Sequence, residues 1–168
     1  LGLLRIRTLR VGISGGFVTR LGAGGMPFLL PLLFQLGLGY SPVQSGLLIM
    51  PQSLAAIGLK TQSTKILARF GFRHILLVNT LMVGALIMAY AAVSPGTPVP
   101  WIVGLATAFG FFSSLQYTCV NTLIYADISN DDTSMVSTIA STVQQMSMSF
   151  GVAMASLVTA IFLPEALR

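Results

Sequence analysis

The sequence predicts an all-α integral membrane protein with five spanning helices. Three observations carry this. Of the 168 residues, 54% are hydrophobic and only 8% are charged, where a soluble domain has roughly a quarter charged. The mean hydropathy is +0.85. The apolar residues also fall into five long runs that do not alternate with polar ones, so a transmembrane β-barrel is excluded. Hydrocarbon offers no partner for backbone N–H and C=O groups, which makes these runs helices.

A span needs about 20 mostly apolar residues. Five segments meet this, at about residues 11–36, 44–64, 74–93, 99–126 and 134–163. The first contains Pro27 and Pro31. Each removes an N–H and crowds the carbonyl four residues back, so the outer half of this helix should bend or loosen, either as a static kink or as a gate. The second begins after Gly37, Gly39, Tyr40, Ser41 and Pro42, a stretch with turn chemistry and no charge. The third is nearly featureless apart from Asn79 and Thr80 near its start. SPGTPVP, residues 94–100, leads into the fourth, and YADISNDDTS, residues 125–134, leads into the fifth.

The net charge of +5 records topology rather than nucleic-acid binding. Arg5, Arg7 and Arg10 precede the first helix, and Lys60, Lys65, Arg69 and Arg73 surround the second connection. Helical hairpins place both groups on one side, which the distribution of basic residues assigns to the cytoplasm. The acidic fourth connection falls on that side by parity. Trp101 and Tyr40 have the character of interfacial anchors.

In lipid the informative residues are the polar ones. Successive residues of a helix turn by about 100°, so spacings of three and four share a face. Arg20, Gly24, Pro27, Pro31 and Gln35 make one stripe on the first helix. Gly110, Ser114, Tyr117, Asn121 and Tyr125 make another on the fourth. Ser137, Ser141, Gln144, Met148, Gly151, Ala155 and Thr159 make a third on the fifth, and the second helix carries Pro51, Gln52 and Ser53. Small residues and hydroxyls on such faces serve close helix packing as well as a cavity. The larger polar groups, Arg20, Gln35, Gln52, Tyr117, Asn121 and Gln144, are better explained by a shared cavity and are the candidate substrate-lining residues. Arg20 is the sharpest. An arginine at mid-bilayer costs about 3 kcal/mol on insertion scales, unless the helix starts later and the side chain snorkels to the surface. No acid lies inside any span. The methionines of the fifth helix, Met135, Met146, Met148 and Met154, suit packing or an adaptable apolar wall.

Enzyme chemistry finds no support. One cysteine and one histidine exclude a multi-cysteine or histidine-based metal centre. There is no Ser-His-acid set and no buried carboxylate pair, so no catalytic residue and no cofactor are expected. GAGG at residues 22–25 has no strand before it, which excludes a dinucleotide site.

The second connection reads TKILARFGFRH, residues 64–74. It resembles the cytoplasmic loop signature of the major facilitator superfamily, G-x-x-x-D-[RK]-x-G-[RK]-[RK]. Arg69, Gly71 and Arg73 match, whereas Thr64 replaces the first Gly and Ala68 the Asp. GAGGMPFLLPLLFQLGLGYSPVQSGLLIMP resembles the start of the C-terminal half in the drug:proton antiporters with fourteen helices, the EmrB/QacA-like group. STVQQMSMSFGVAMA resembles that group's penultimate-helix pattern at Gln145, Ser149, Gly151 and Ala153, with Gln144 where many relatives have arginine. The resemblance implies a partial C-terminal bundle over residues 1–168, the first five helices of six. It implies that helices one, two, four and five line a central cavity and that the third is peripheral. It further implies proton-driven efflux of hydrophobic drug-like compounds, a small-molecule substrate with protons, and a multi-pass position in the plasma membrane, in bacteria the inner membrane. The proton-carrying acids and the partner N-terminal helix bundle would lie in a parent protein, with a further helix after Arg168. Two alternatives stay open: transport of an anionic metabolite by way of Arg20, and a structural half-bundle with no transport of its own.

Overall fold

The computed structural model describes residues 7–60, 67, 69, 71–129 and 132–166. Within them every regular element is helical: α1 (Arg7–Gly24), α2 (Met26–Leu32), a π turn (Leu33–Gly37), α3 (Pro42–Lys60), α4 (Phe72–Ala91), α5 (Val99–Tyr125) and α6 (Thr133–Ala166). Four stretches are long and apolar enough to cross a membrane: Thr8–Gly37, Phe72–Ala91, Val99–Tyr125 and Thr133–Phe162. The second predicted span contains α3, which is not among these four. Gln44, Gln52, Pro42 and Pro51 dilute its apolar character. The expected continuation to residue 64 lies outside the described residues, as do Lys65 and Ala68.

Local chemistry sets the helix ends. Ser41 and Gln44 form a capping box at the start of α3. The Ser41 N–H donates to Gln44 Oε1 at 2.9 Å, and the Gln44 N–H donates to Ser41 Oγ at 3.3 Å. Two of the helix-terminal N–H groups are thereby satisfied, with Pro42 at the first helical position, where it has no bond to lose. Just before it, Gly39 adopts φ +72°, a left-handed conformation that favours glycine. Gly71, at φ 73° and ψ 151°, occupies the cap position of α4. Before α5, the Ser94 N–H donates to Thr97 Oγ1 at 3.0 Å.

The first predicted span is not one helix. It breaks at Gly25, two residues before Pro27, whose ring crowds the carbonyl of Ala23. The N–H groups of Phe28 and Leu29 both turn back to the Gly25 carbonyl, at 3.1 and 2.9 Å. Beyond Pro31 the chain widens into the π turn, where the Leu38 N–H reaches the Leu33 carbonyl at 3.0 Å. The expected loosening is therefore a break on the inner side of Pro27 and a π turn beyond Pro31.

The chain divides into two compact units, Leu1–Leu30 with Ile124–Arg168, and Pro31–Leu123. In the first, α1 and α6 run parallel, and their backbones meet across glycine. A Cβ at Gly151 would lie 2.8 Å from the Leu21 carbonyl oxygen, and one at Gly25 would lie 2.9 Å from Ala155 Cβ. Ser147, Gly151 and Ala155 recur every four residues on the buried face of α6, a small-xxx-small pattern that lets membrane helices approach closely. The Thr8 hydroxyl donates to Asp127 Oδ2 at 2.8 Å. The start of α1 and the acidic fourth connection therefore share one end of this unit.

In the second unit α5 is the centre. A Cβ at Gly110 would overlap the Gln52 backbone, which sets α5 against α3. The Ser114 hydroxyl donates to the Ala56 carbonyl at 3.1 Å. On its other side α5 meets α4. Tyr90 and Phe109 stack edge-to-face with centroids 6.2 Å apart, and Ile75 joins Leu67, Leu115 and Cys119 in a buried cluster.

Because Gly151 sits backbone to backbone, Gly151→Val should lower the stability of the detergent-solubilised protein by about 1–3 kcal/mol. A Cβ at Gly84 meets nothing within 4 Å, so Gly84→Ala should change it by less than about 0.5 kcal/mol. Thermal aggregation followed by size-exclusion chromatography checks both.

Candidate functional site

Membrane helices carry few polar side chains without giving them somewhere to bond. Most hydroxyls here close onto their own helix. Thr118, Thr122, Thr138, Thr142 and Thr159 each donate to the carbonyl four residues earlier, at 2.8–3.1 Å. Such residues need no cavity. Thr159, Gly151 and Ala155, three members of the fifth-helix stripe, are accounted for by this back-bonding and by the α1 contact. Gly110 and Ser114, two members of the fourth-helix stripe, are accounted for by the α3 contact.

The larger polar groups sort differently. Gly24 faces Met148, whose Cα would lie 3.2 Å from an added Cβ. Arg20 stands one turn before Gly24 and Gln144 one turn before Met148. Since α1 and α6 run parallel, Arg20 and Gln144 come to the same level of this pair, and both are partly buried. Arg20 is thus not on a face fully exposed to surroundings. On α5, Tyr117 is 47% exposed, and Asn121, one turn on, is partly buried. Gln52 is partly buried on α3, and its Oε1 is buried with no hydrogen bond. Gln35 is exposed in the π turn. The structure brings Arg20 and Gln144 together in one unit and places Gln35, Gln52, Tyr117 and Asn121 in the other. Pro27 is exposed and Pro31 lies inside α2. In the loop signature, Arg69 and Arg73 are exposed and Gly71 takes its positive φ.

Two features were missed. The third predicted span, read as nearly featureless, buries Asn79 to 2% exposure. Its Nδ2 donates to the Phe112 carbonyl at 3.4 Å. Beside it, Gln116 Nε2 donates to Thr80 Oγ1 at 3.1 Å. The signal was present: two adjacent polar residues on α4 and Gln116 on α5. Gln116 lies one residue before Tyr117 and so outside the stripe that drew attention. The second feature is a groove of about 650 Å³ along α6, lined by Ser141, Gln145, Met146, Ser149 and Phe150 among others. Ser141 belongs to the fifth-helix stripe, and Gln145 and Ser149 to the motif that carries the resemblance, but none was among the candidate lining residues. Among the described residues no cluster of His, Cys, Asp or Glu could hold a metal ion.

The sequence pattern of the Major Facilitator Superfamily matches residues 2–152. The chain belongs to the Major Facilitator Superfamily. Its membership accounts for the multi-pass helical architecture. The chain is 36% identical over 162 residues to "Probable transport protein HsrA" of Haemophilus influenzae, covering 96% of this chain and 35% of that protein. It is 34% identical over 165 residues to "Putative multidrug resistance protein MdtD" of Citrobacter koseri, covering 96% of this chain and 34% of the relative, and equally so to the protein of that name in Escherichia coli. The chain spans about a third of the length of these curated relatives. No solved structure matches it.

The Gln116–Thr80 pair ties α4 to α5. A double-mutant cycle with Gln116→Leu and Thr80→Val should give a coupling of about 0.6 kcal/mol, as interhelical hydrogen bonds in membranes average. Equilibrium unfolding in mixed detergent and denaturant measures it.

Proposed function

We propose that this chain forms one wall of a secondary active transporter that works by alternating access. Its activity is proton-driven efflux of hydrophobic drug-like compounds across the bacterial inner membrane. Substrate sits near the midplane between two helix bundles that rock about it. This chain supplies part of one bundle, and the other bundle and the proton-carrying groups come from the rest of the parent protein. Superfamily membership and the multidrug-resistance name of the relatives support the transport class. One observation carries the site: Arg20, a permanent cation inside the long span Thr8–Gly37, is partly buried at the level of Gln144. Charges at such depth face a cavity or a partner rather than lipid.

Gln35, Gln52, Tyr117, Asn121 and Gln144 complete the proposed lining. Pro27 and Pro31 form the proposed gate, because the helix breaks at Gly25 and widens at the π turn on either side of them. Arg69, Gly71 and Arg73 hold the cytoplasmic loop. The cation at Arg20 also favours a second reading, transport of an anionic metabolite whose carboxylate it binds. The coverage of a third of the relatives' length favours a third, a half-bundle inactive alone.

In the full-length protein reconstituted in liposomes, Arg20→Ala should lower transport at least tenfold, and Asn121→Ala should lower it severalfold. Wild-type flux in both variants overturns the site assignment. An inward-directed proton gradient that stimulates efflux of a neutral dye supports the drug reading. Flux of a carboxylate, lost in Arg20→Ala, supports the anion reading. The third reading is supported by a chain that shows no flux until an N-terminal half is added.

A further inference from the structure

Tyr90 is placed against its own chemistry. It is the last residue but one of the span Phe72–Ala91. At a span end a tyrosine ordinarily keeps its ring among lipid and its hydroxyl in the wet interface. Tyr90 is instead 4% exposed. Its ring stands edge-on to Phe109, with the planes at 82°. Its hydroxyl is buried with no hydrogen bond among the described residues. Yet α4 ends at once, and the connection after Ala91 is largely exposed.

Two polar atoms of α5, Ser113 Oγ and Gln116 Oε1, are buried in the same condition. Phe109, Ser113 and Gln116 follow spacings of four and three and so share a face. Phe109 meets Tyr90, and Gln116 meets Thr80. The two helices are therefore antiparallel here, and Ser113 lies in their seam between those two levels. Local rotation does not satisfy these groups together. Turning the Gln116 amide over gives its oxygen to the Thr80 hydroxyl and leaves its N–H donors unpaired instead. The Tyr90 hydroxyl ends a rigid ring and cannot fold back onto its own helix as the threonine hydroxyls do.

The seam is closed differently at its other end. There Leu67, Ile75, Leu115 and Cys119 form a buried cluster, with Phe72 and Leu76 against it, and Asn79 is bonded to the Phe112 carbonyl. At the Tyr90 end, swinging the ring outward exchanges protein for lipid tails, which are as apolar as leucine. It gives up the edge contact with Phe109 and lets the hydroxyl reach water. The lost contact and the relief of a buried unpaired hydroxyl are of the same order, the condition for two populated positions.

We propose that Tyr90 is a latch on one end of the α4–α5 seam. It alternates between the inward position seen here and an outward one, in which its hydroxyl meets interfacial water. In the outward position water enters the seam as far as Ser113 and Gln116, and the apolar cluster at the far end holds the helices together. This device goes beyond the transport reading and does not depend on it, since it involves α4 and α5 alone.

The test uses the full-length protein in liposomes, with Cys119 and any other native cysteine replaced by alanine. Ser113→Cys should react with a charged, water-borne methanethiosulfonate, at a rate that levels off with reagent concentration as opening becomes limiting. Tyr90→Phe keeps the ring and removes the unpaired hydroxyl, so it should slow the reaction at least threefold. Tyr90→Ala removes the latch and should speed it at least threefold. No reaction at Ser113→Cys, or the same rate with Tyr90 and with Tyr90→Phe, overturns the proposal. A second measurement needs no cysteine variant: fluorine NMR of protein grown with 3-fluorotyrosine, with Tyr90 assigned by its loss in Tyr90→Phe. Two Tyr90 signals, one of which shifts between H2O and D2O, support the latch. A single signal that does not shift overturns it.

Discussion

Hydrocarbon supplies no hydrogen-bond partner, and the rest of this structure follows from that. It forces the backbone into helices. It turns threonine hydroxyls back onto the carbonyls of their own helix. It removes the water-driven attraction between apolar faces, so helices associate through close fit and a few polar ties. Gly151 against Leu21, Gly110 against Gln52, and Gln116 with Thr80 are those contacts in this chain.

The same constraint sorts polar residues into kinds. Those that satisfy themselves locally are neutral with respect to function. Those that reach across, as Ser114 does to the Ala56 carbonyl, fix which helices adjoin and in what register. The remainder, such as Arg20 and Gln144, carry more hydrogen-bonding groups than a hydroxyl does. In a soluble domain water would blur these kinds, because any exposed glutamine is already satisfied.

The spans that hold α1 with α2, α4, α5 and α6 were legible because each needs an apolar run that leaves an unmistakable mark. The start of α3 was legible for a different reason: Ser41, Pro42 and Gln44 spell out a cap. The break of the first span was only half legible. Pro27 and Pro31 announced a disruption, but no local pattern contains the close approach of Gly25 to Ala155 Cβ and the Gly151 carbonyl. Face assignments on α6 were harder still. A stripe of small residues and a stripe of cavity residues share the period of the helix, and only the partner helix tells them apart. Of the predicted stripe, Met148, Gly151 and Ala155 proved to meet α1, while Ser141 lines the open groove on the other side. Asn79 was overlooked because a lone polar residue in an apolar run gives no hint of the Phe112 carbonyl it meets.

The π turn at Leu33–Gly37 has a consequence for descent. A π turn is equivalent to one residue inserted into an α-helical frame. In a regular α-helix an added residue swings everything after it by about 100°, but the wider turn takes up its extra residue locally and lets the chain on either side keep nearly the same faces. Length variation of one residue at Leu33–Gly37 could therefore arise in related chains without re-aiming the segment that leads into α3, whereas the same change within α1 would turn every later side chain of that helix away from its contacts.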